Sequence, residues 1–212
     1  MAKSMSLLWG AGSPPCRRVM IVLEEKKLQG CKHKLLSFEK GEHKSQEVLD
    51  INPRGQFRRG VPSFKHGDLV VNESYAACFY LESQFKSQGN KLVPDSPAEQ
   101  ALMYQRMFEG LTLYEKLKAV IGYTWFVPEE ERHDSALKRN KEALATELRL
   151  WEVLLVTFFP TVATLFRFGL SAERYPQLGG YNALLKDRPS IKASWPPHWL
   201  ENLKGQDNLK DI

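Results

Sequence analysis

Short apolar runs separated by turn residues occupy the first 85 or so positions, and a helical spacing of apolar residues takes over in the remainder. Residues 6–9 form a brief apolar run closed by Gly10, which predicts a strand. Residues 15–28 set Val19, Val22, Leu23 and Leu28 at helical spacing, and residues 33–38 predict a second strand. A polar stretch over 40–50 follows. Residues 61–65 and 68–72 predict two strands joined across His66-Gly67, a tight-turn pair, with a helix from Ser74 to about Gln84.

The order βαβ then ββα is the thioredoxin-like layout. Residues 86–95 are rich in Ser, Gly, Asn and Pro and predict a linker. Beyond it Ser96-Pro97-Ala98-Glu99 combines a capping box with proline at the first helical position, so a long helix is expected to run from there to about Gly122. Residues 129–158 predict a second long helix, and 160–168, 175–186 and 190–194 shorter ones. The expected fold class is therefore α/β plus all-α. A thioredoxin-like domain over 1–85 precedes a helical bundle domain over 96–212.

Composition narrows the function classes. A net charge of +5 comes from 30 basic and 25 acidic residues interleaved along the chain, which favours small anions over nucleic acid. The apolar stretch 151–160 is interrupted by Glu152 and falls short of the roughly 18 residues that cross a bilayer, so no membrane partner is expected. The N-terminus lacks a small-residue cleavage site, which makes the cytoplasm the expected compartment. Three cysteines without metal-ligand spacing predict free thiols, with no metal site.

Chemistry concentrates at Ser13-Pro14-Pro15-Cys16, where the first strand hands over to the first helix. Such a turn aims backbone N–H groups and the positive helix end at one point, a place for an anion. A redox enzyme of this fold holds Cys-x-x-Cys there, and here the outer position is serine. A hydroxyl performs no disulfide exchange, but it donates a hydrogen bond to a ligand's thiolate and favours the charged form. The alternative is that Ser13 only caps the helix. Val61-Pro62 before a strand offers backbone groups that pair with a peptide if the bond is cis, and Glu73-Ser74 opens a helix where a hydroxyl and N–H groups suit a carboxylate.

Together Ser13-Pro14-Pro15-Cys16-Arg17, Lys40-Gly41-Glu42-His43, Asn52-Pro53, Val61-Pro62 and Asn72-Glu73-Ser74 resemble the cytosolic glutathione transferases of the serine type, theta and delta. The likeness extends over nearly the whole chain and is strongest to the rho class of fish, through Leu7-Leu8-Trp9-Gly10, residues 72–81 and residues 166–195. The resemblance implies a homodimer that conjugates glutathione, as co-substrate, to a small electrophile such as a xenobiotic or a lipid-peroxidation product, without cofactor or metal. It assigns Ser13 to the thiolate, Val61 to a backbone anchor, Pro62 to a cis-proline and Glu73-Ser74 to the γ-glutamyl group. His43 is assigned to the glycyl carboxylate and Gln56 to the position ahead of the valine.

Two departures from that pattern stand out. Residues 57–60 look like extra material beside the glutathione-binding loop, and the cap and loop expected near residue 152 are missing. The expectation is that the preceding helix runs on through 153–158 and that Pro160 breaks it. These departures keep open an alternative, a transferase-fold ligand-binding protein with impaired or lost catalysis, alongside a thiol-dependent reductase using Cys16. For the electrophile the candidates are Leu111, Tyr114, Leu117 and Tyr123, a stripe that equally suits a core.

Overall fold

The computed structural model describes residues 4–37, 40–53, 62–153, 159–202 and 205–212. It divides into two compact units, one of Met1–Val93 with Arg188–Glu201 and one of Pro94–Asp187 with Asn202–Ile212.

In the first unit β1 (Met5–Gly10), α1 (Pro14–Glu25), β2 (Lys32–Leu36), α2 (Gln46–Ile51), β3 (Ser63–His66), β4 (Leu69–Val71) and α3 (Ser74–Gln84) follow one another. The sheet is four-stranded in the order β2-β1-β3-β4, with β1 parallel to β2 and antiparallel to β3. This is the thioredoxin-like arrangement expected from the strand and helix order. The period of two in β1 sends Leu7 and Trp9 into a core with Val19, Leu23, Phe64 and Leu81, while Leu8 turns to Leu36 and Val48 on the opposite face. Each such aliphatic side chain removed from water contributes about 1.5–3 kcal/mol.

The second face explains an element that the sequence pattern hides. Residues 40–50 are polar except for Val48 and Leu49, yet they hold a 3₁₀ turn at Glu42–Lys44 and most of α2, whose one fully buried side chain is Val48. One buried residue in six leaves no amphipathic signal; α2 exists because Leu8 and Leu36 are there to be covered.

Residues 188–201 belong to this unit, whereas the sequence division places them with the helical domain. They carry α9 (Pro189–Ala193) and α10 (Pro197–Glu201), the second of which the sequence does not foretell. A buried polar cluster at the end of α1 ties them down. The Glu25 carboxylate accepts from Arg188 Nη2 at 2.8 Å, from Ser190 Oγ at 2.5 Å and from Asn90 Nδ2 at 2.6 Å. Gly89 makes the approach feasible: it has φ +63°, and a Cβ there would stand 2.3 Å from the Glu25 carbonyl oxygen.

The second unit contains α4 (Pro97–Ile121), α5 (Tyr123–Phe126), α6 (Asp134–Val153), α7 (Phe159–Arg167) and α8 (Pro176–Leu185). Ser96 caps α4 by accepting the Glu99 N–H, as its capping box predicts. Leu113, Leu117, Leu144, Leu148, Leu165 and Leu178 are fully buried within this unit. The helix expected to start at 129 starts at Asp134 instead. Residues Glu129–Glu131 form a single 3₁₀ turn, and the chain then leaves helical geometry: the Tyr123 hydroxyl takes the His133 N–H at 3.0 Å and Arg132 is held on the Val127 carbonyl at 2.9 Å, so the α-helix begins only at 134. Pro160 stands in the first turn of α7, where a missing N–H costs nothing; the expected continuation beyond Val153, through 154–158, lies outside the described residues.

Candidate functional site

The end of β1 and the start of α1 form a compact corner. Gly12 adopts φ +74°, the Ser13 N–H donates to the Gly10 carbonyl at 3.3 Å, and Ser13 caps α1 in an extended conformation. Its Oγ accepts the Cys16 N–H at 3.3 Å, and its carbonyl accepts the Arg17 N–H at 3.1 Å. Pro14 and Pro15 occupy the first helical positions and have no N–H. The first turn of α1 therefore does not present the backbone donors that the sequence suggests for an anion. What it presents is the dipole of the helix and the hydroxyl of Ser13, which is 4% exposed.

The cap also sets what that hydroxyl does. A serine oxygen has two lone pairs and one proton, and the cap engages a lone pair. Cys16, by contrast, is fully buried, receives the Gly10 N–H on its sulfur at 3.4 Å, and has its thiol pushed up to about 11 by burial. A group that stays protonated at neutral pH is no nucleophile, which removes the support for a thiol reductase using Cys16.

Ser74 is the first residue of α3, with Glu73 as the residue before it. The Ser74 hydroxyl is 4% exposed and accepts a hydrogen bond from Arg18 Nη1 at 3.0 Å, while Glu73 is exposed. Arg18 lies on α1 and stacks its guanidinium 4.5 Å from the Tyr75 ring centroid. Beside Glu73 opens a cavity of about 420 Å³ lined by Asn52, Pro53, Val70, Val71, Asn72 and Ala76. The Asn72 side chain donates to the Ile51 carbonyl at 2.7 Å, joining the end of β4 to the end of α2. Sequence reasoning left Arg18 and the Asn52 and Asn72 side chains without roles.

His43 sits half-buried in the 3₁₀ turn of Glu42–Lys44, where burial and then the Lys44 charge pull its pKa down. It is therefore a neutral imidazole at neutral pH, able to donate one hydrogen bond. Pro62 is buried immediately ahead of β3. Gln56, Val61, the 61–62 peptide bond and residues 57–60 lie outside the described residues.

Of the electrophile candidates, Leu111 is 41% exposed and Tyr114 half-buried, on α4. Leu117 is fully enclosed in the core, and the Tyr123 hydroxyl is bonded both to the carbonyl and to the N–H of His133. Among the described residues no group of His, Cys, Asp or Glu is placed to hold a metal ion, and no helix is long and apolar enough to cross a membrane.

Comparison with known proteins agrees with this arrangement. Residues 12–84 match the model for the glutathione S-transferase N-terminal domain. The chain is 67% identical to glutathione S-transferase A of Pleuronectes platessa over 229 positions, covering all of both proteins. Because this chain has 212 residues, that alignment includes positions it lacks. The crystal structure of a glutathione S-transferase from the Antarctic clam Laternula elliptica superposes with a TM-score of 0.83 at 37% identity, covering 98% of this chain and 99% of that one. A glutathione transferase of Phanerochaete chrysosporium, solved in complex with oxidized glutathione, gives 0.76 at 25% identity over 91% and 95% of the two chains.

Proposed function

From the premise that the chain belongs to the glutathione S-transferase family, we propose that Ser13 holds the glutathione sulfur as a thiolate and that this thiolate attacks a small electrophile. The observation that carries the assignment is the polarity of the Ser13 cap. Its oxygen accepts the Cys16 N–H through a lone pair, so the cap itself does not use the hydroxyl's capacity to donate, and donation is what a thiolate requires. A thiol of ordinary pKa, about 8.5, is only a few per cent ionised at neutral pH; each unit of lowering is worth about 1.4 kcal/mol of preference for the thiolate. The S–C bond forms as the leaving group departs with the electron pair, and the thiol proton goes to solvent.

The rest of the tripeptide is anchored by groups already in place. Ser74 accepts from Arg18, a side chain with no acceptor, so its own proton points away from the guanidinium and is suited to the γ-glutamyl carboxylate. The exposed Glu73 carboxylate pairs with the α-amino group. Neutral His43 donates to the glycyl carboxylate, and Val61 and Pro62, with Gln56 before them, supply the backbone edge for the cysteinyl part. Leu111 and Tyr114 are the residues proposed for the electrophile. A homodimer, cytoplasmic residence and the absence of any cofactor beyond glutathione complete the reading by family likeness. Nothing in the comparisons supports the rival reading of a transferase fold that has lost turnover.

Ser13→Ala tests the assignment. It should lower kcat/KM for conjugation about a hundredfold, as loss of a single oxyanion donor does elsewhere, while glutathione still binds. Unchanged turnover in a folded Ser13→Ala protein would move the thiolate assignment to another residue.

A further inference from the structure

Arg17 is fully buried, and among the described residues neither of its terminal nitrogens, Nη1 or Nη2, has a hydrogen-bond partner. Its Nε reaches the Ser194 hydroxyl at 3.4 Å, and its guanidinium carbon lies 4.6 Å from the centre of the Trp199 ring. Ser194 donates its own proton to the Ile191 carbonyl at 2.7 Å. None of these partners carries a negative charge.

Among the described residues no carboxylate fills that role; on α3, which also packs against α1, Glu82 is paired with Lys26 at 2.8 Å. On the elements that hold Arg17 (α1, α9 and α10) the acidic residues are Glu24, Glu25 and Glu201. Glu25 is taken by Arg188, Ser190 and Asn90, and Glu24 and Glu201 are exposed. The remaining ionisable groups there, Arg18, Lys192 and His198, add positive charge or none, and Cys16 is held as a neutral thiol. Burial pulls Arg17 down to about 9, which leaves it cationic at neutral pH.

An unpaired buried cation is strongly unfavourable unless an anion completes it. Its position says which anion does so. The Trp199 ring that covers the guanidinium also abuts the catalytic corner: a side-chain carbon built on Gly12 would stand 3.8 Å from the Trp199 indole nitrogen. A single indole therefore separates the charge from the residue next to Ser13, in a region from which water is largely excluded. Charges interact more strongly there than across solvent.

We propose that Arg17 is the field-setting residue of the site: a buried positive charge left without a counter-ion among the described residues and completed by the thiolate of bound glutathione. The role rests on the Ser13 assignment. Ser13 supplies the directed hydrogen bond, and Arg17 supplies the surrounding potential without touching the sulfur. The C-terminal segment carrying Ser194 and Trp199 then serves catalysis by keeping that charge dry.

The experiment is a spectroscopic titration of the thiol in the protein-glutathione complex for the parent protein, Arg17→Met and Arg17→Lys, with thermal melts of the ligand-free proteins. In Arg17→Met the thiolate fraction at neutral pH should fall about tenfold, and kcat/KM should fall with it and recover in alkali. The same variant should melt no lower than the parent, because an apolar side chain replaces an unpaired buried charge. Arg17→Lys keeps the charge and should keep the low thiol pKa. Arg17→Gln serves as the neutral comparison if methionine is not accepted, and failure of both neutral variants to fold would make the guanidinium structural and overturn the inference. A parent thiol that ionises readily, with no change in Arg17→Met, overturns the role of Arg17 alone. A parent thiol no more acidic than free glutathione overturns the Ser13 reading and this one together.

Discussion

Arg18 Nη1 donates to the Ser74 hydroxyl at 3.0 Å, joining the middle of α1 to the first residue of α3 across two buried side chains. Because arginine only donates, this bond decides which way the Ser74 proton points. Arg18→Met removes the bond and frees Ser74 to rotate. The expected result is a rise of about tenfold in KM for glutathione with little change in kcat, since the group acts on binding and not on the sulfur. Steady-state kinetics with glutathione varied at saturating electrophile give the comparison, and a drop in kcat at constant KM would contradict it.

Cys16 and Ser13 separate two kinds of chemistry. The Cys16 thiol is fully buried and raised to about 11 by burial, so it does not act as a nucleophile near neutrality. Cys16→Ala is expected to cost about 1 kcal/mol of stability through the small cavity it leaves and to retain conjugation within about threefold. In the native parent protein Cys16 should resist alkylation until denaturant is added, which mass spectrometry of labelled peptides reads directly.

Glu25 makes stability depend on acid. Burial by itself raises its carboxyl, but hydrogen bonds from Ser190, Asn90 and Arg188 outweigh that and hold it below the usual carboxylate range. A group whose pKa is lower folded than unfolded stabilises the protein fully above its unfolded value, about 4.3 for glutamate, and loses that contribution as pH falls through the folded value. Urea denaturation should show a midpoint that is level near neutrality and declines on acidification below about pH 5. In Glu25→Gln the neutral-pH midpoint should be lower and the decline shallower.

Leu117 and Leu111 lie on one helix with different fates. Leu117 is fully buried and Leu111 is 41% exposed. Leu117→Ala should cost about 2–5 kcal/mol, whereas Leu111→Ala should stay within about 0.5 kcal/mol of the parent. If Leu111 contacts the electrophile, its alanine variant raises KM for bulky aryl substrates and leaves KM for glutathione alone. Equal loss of stability in the two variants would refute this division of the helix.

Legibility followed the range of the interaction. The strands 6–9 and 68–72, the His66-Gly67 turn and the Ser96 cap were readable because each depends on neighbours a few positions apart, and the structure has β1, β4, the hairpin and α4 where those signals stand. The helix α2 was not readable, since it presents a single buried residue to a face made by β1 and β2. The start of α6 was misplaced by five residues for a similar reason: Tyr123, from the preceding helix, takes the His133 N–H. At the site, Ser13 was legible as a cap and as a thiolate donor at once. The proline pair that strips the first turn of N–H groups was also in plain view, although its consequence showed only when the Cys16 N–H was found on Ser13.

By itself the sequence determined the alternation of strands and helices, their caps and turns, and the place where a hydroxyl replaces a thiol, because periodicity and capping are local and survive in one dimension. The tertiary structure alone decided that both arginines of α1 are buried. It set Arg18 on Ser74, 56 positions away, and Arg17 on Ser194, 177 positions away. Whether a charged side chain is solvated or enclosed depends on which distant surfaces close over it, and no spacing along the chain records that.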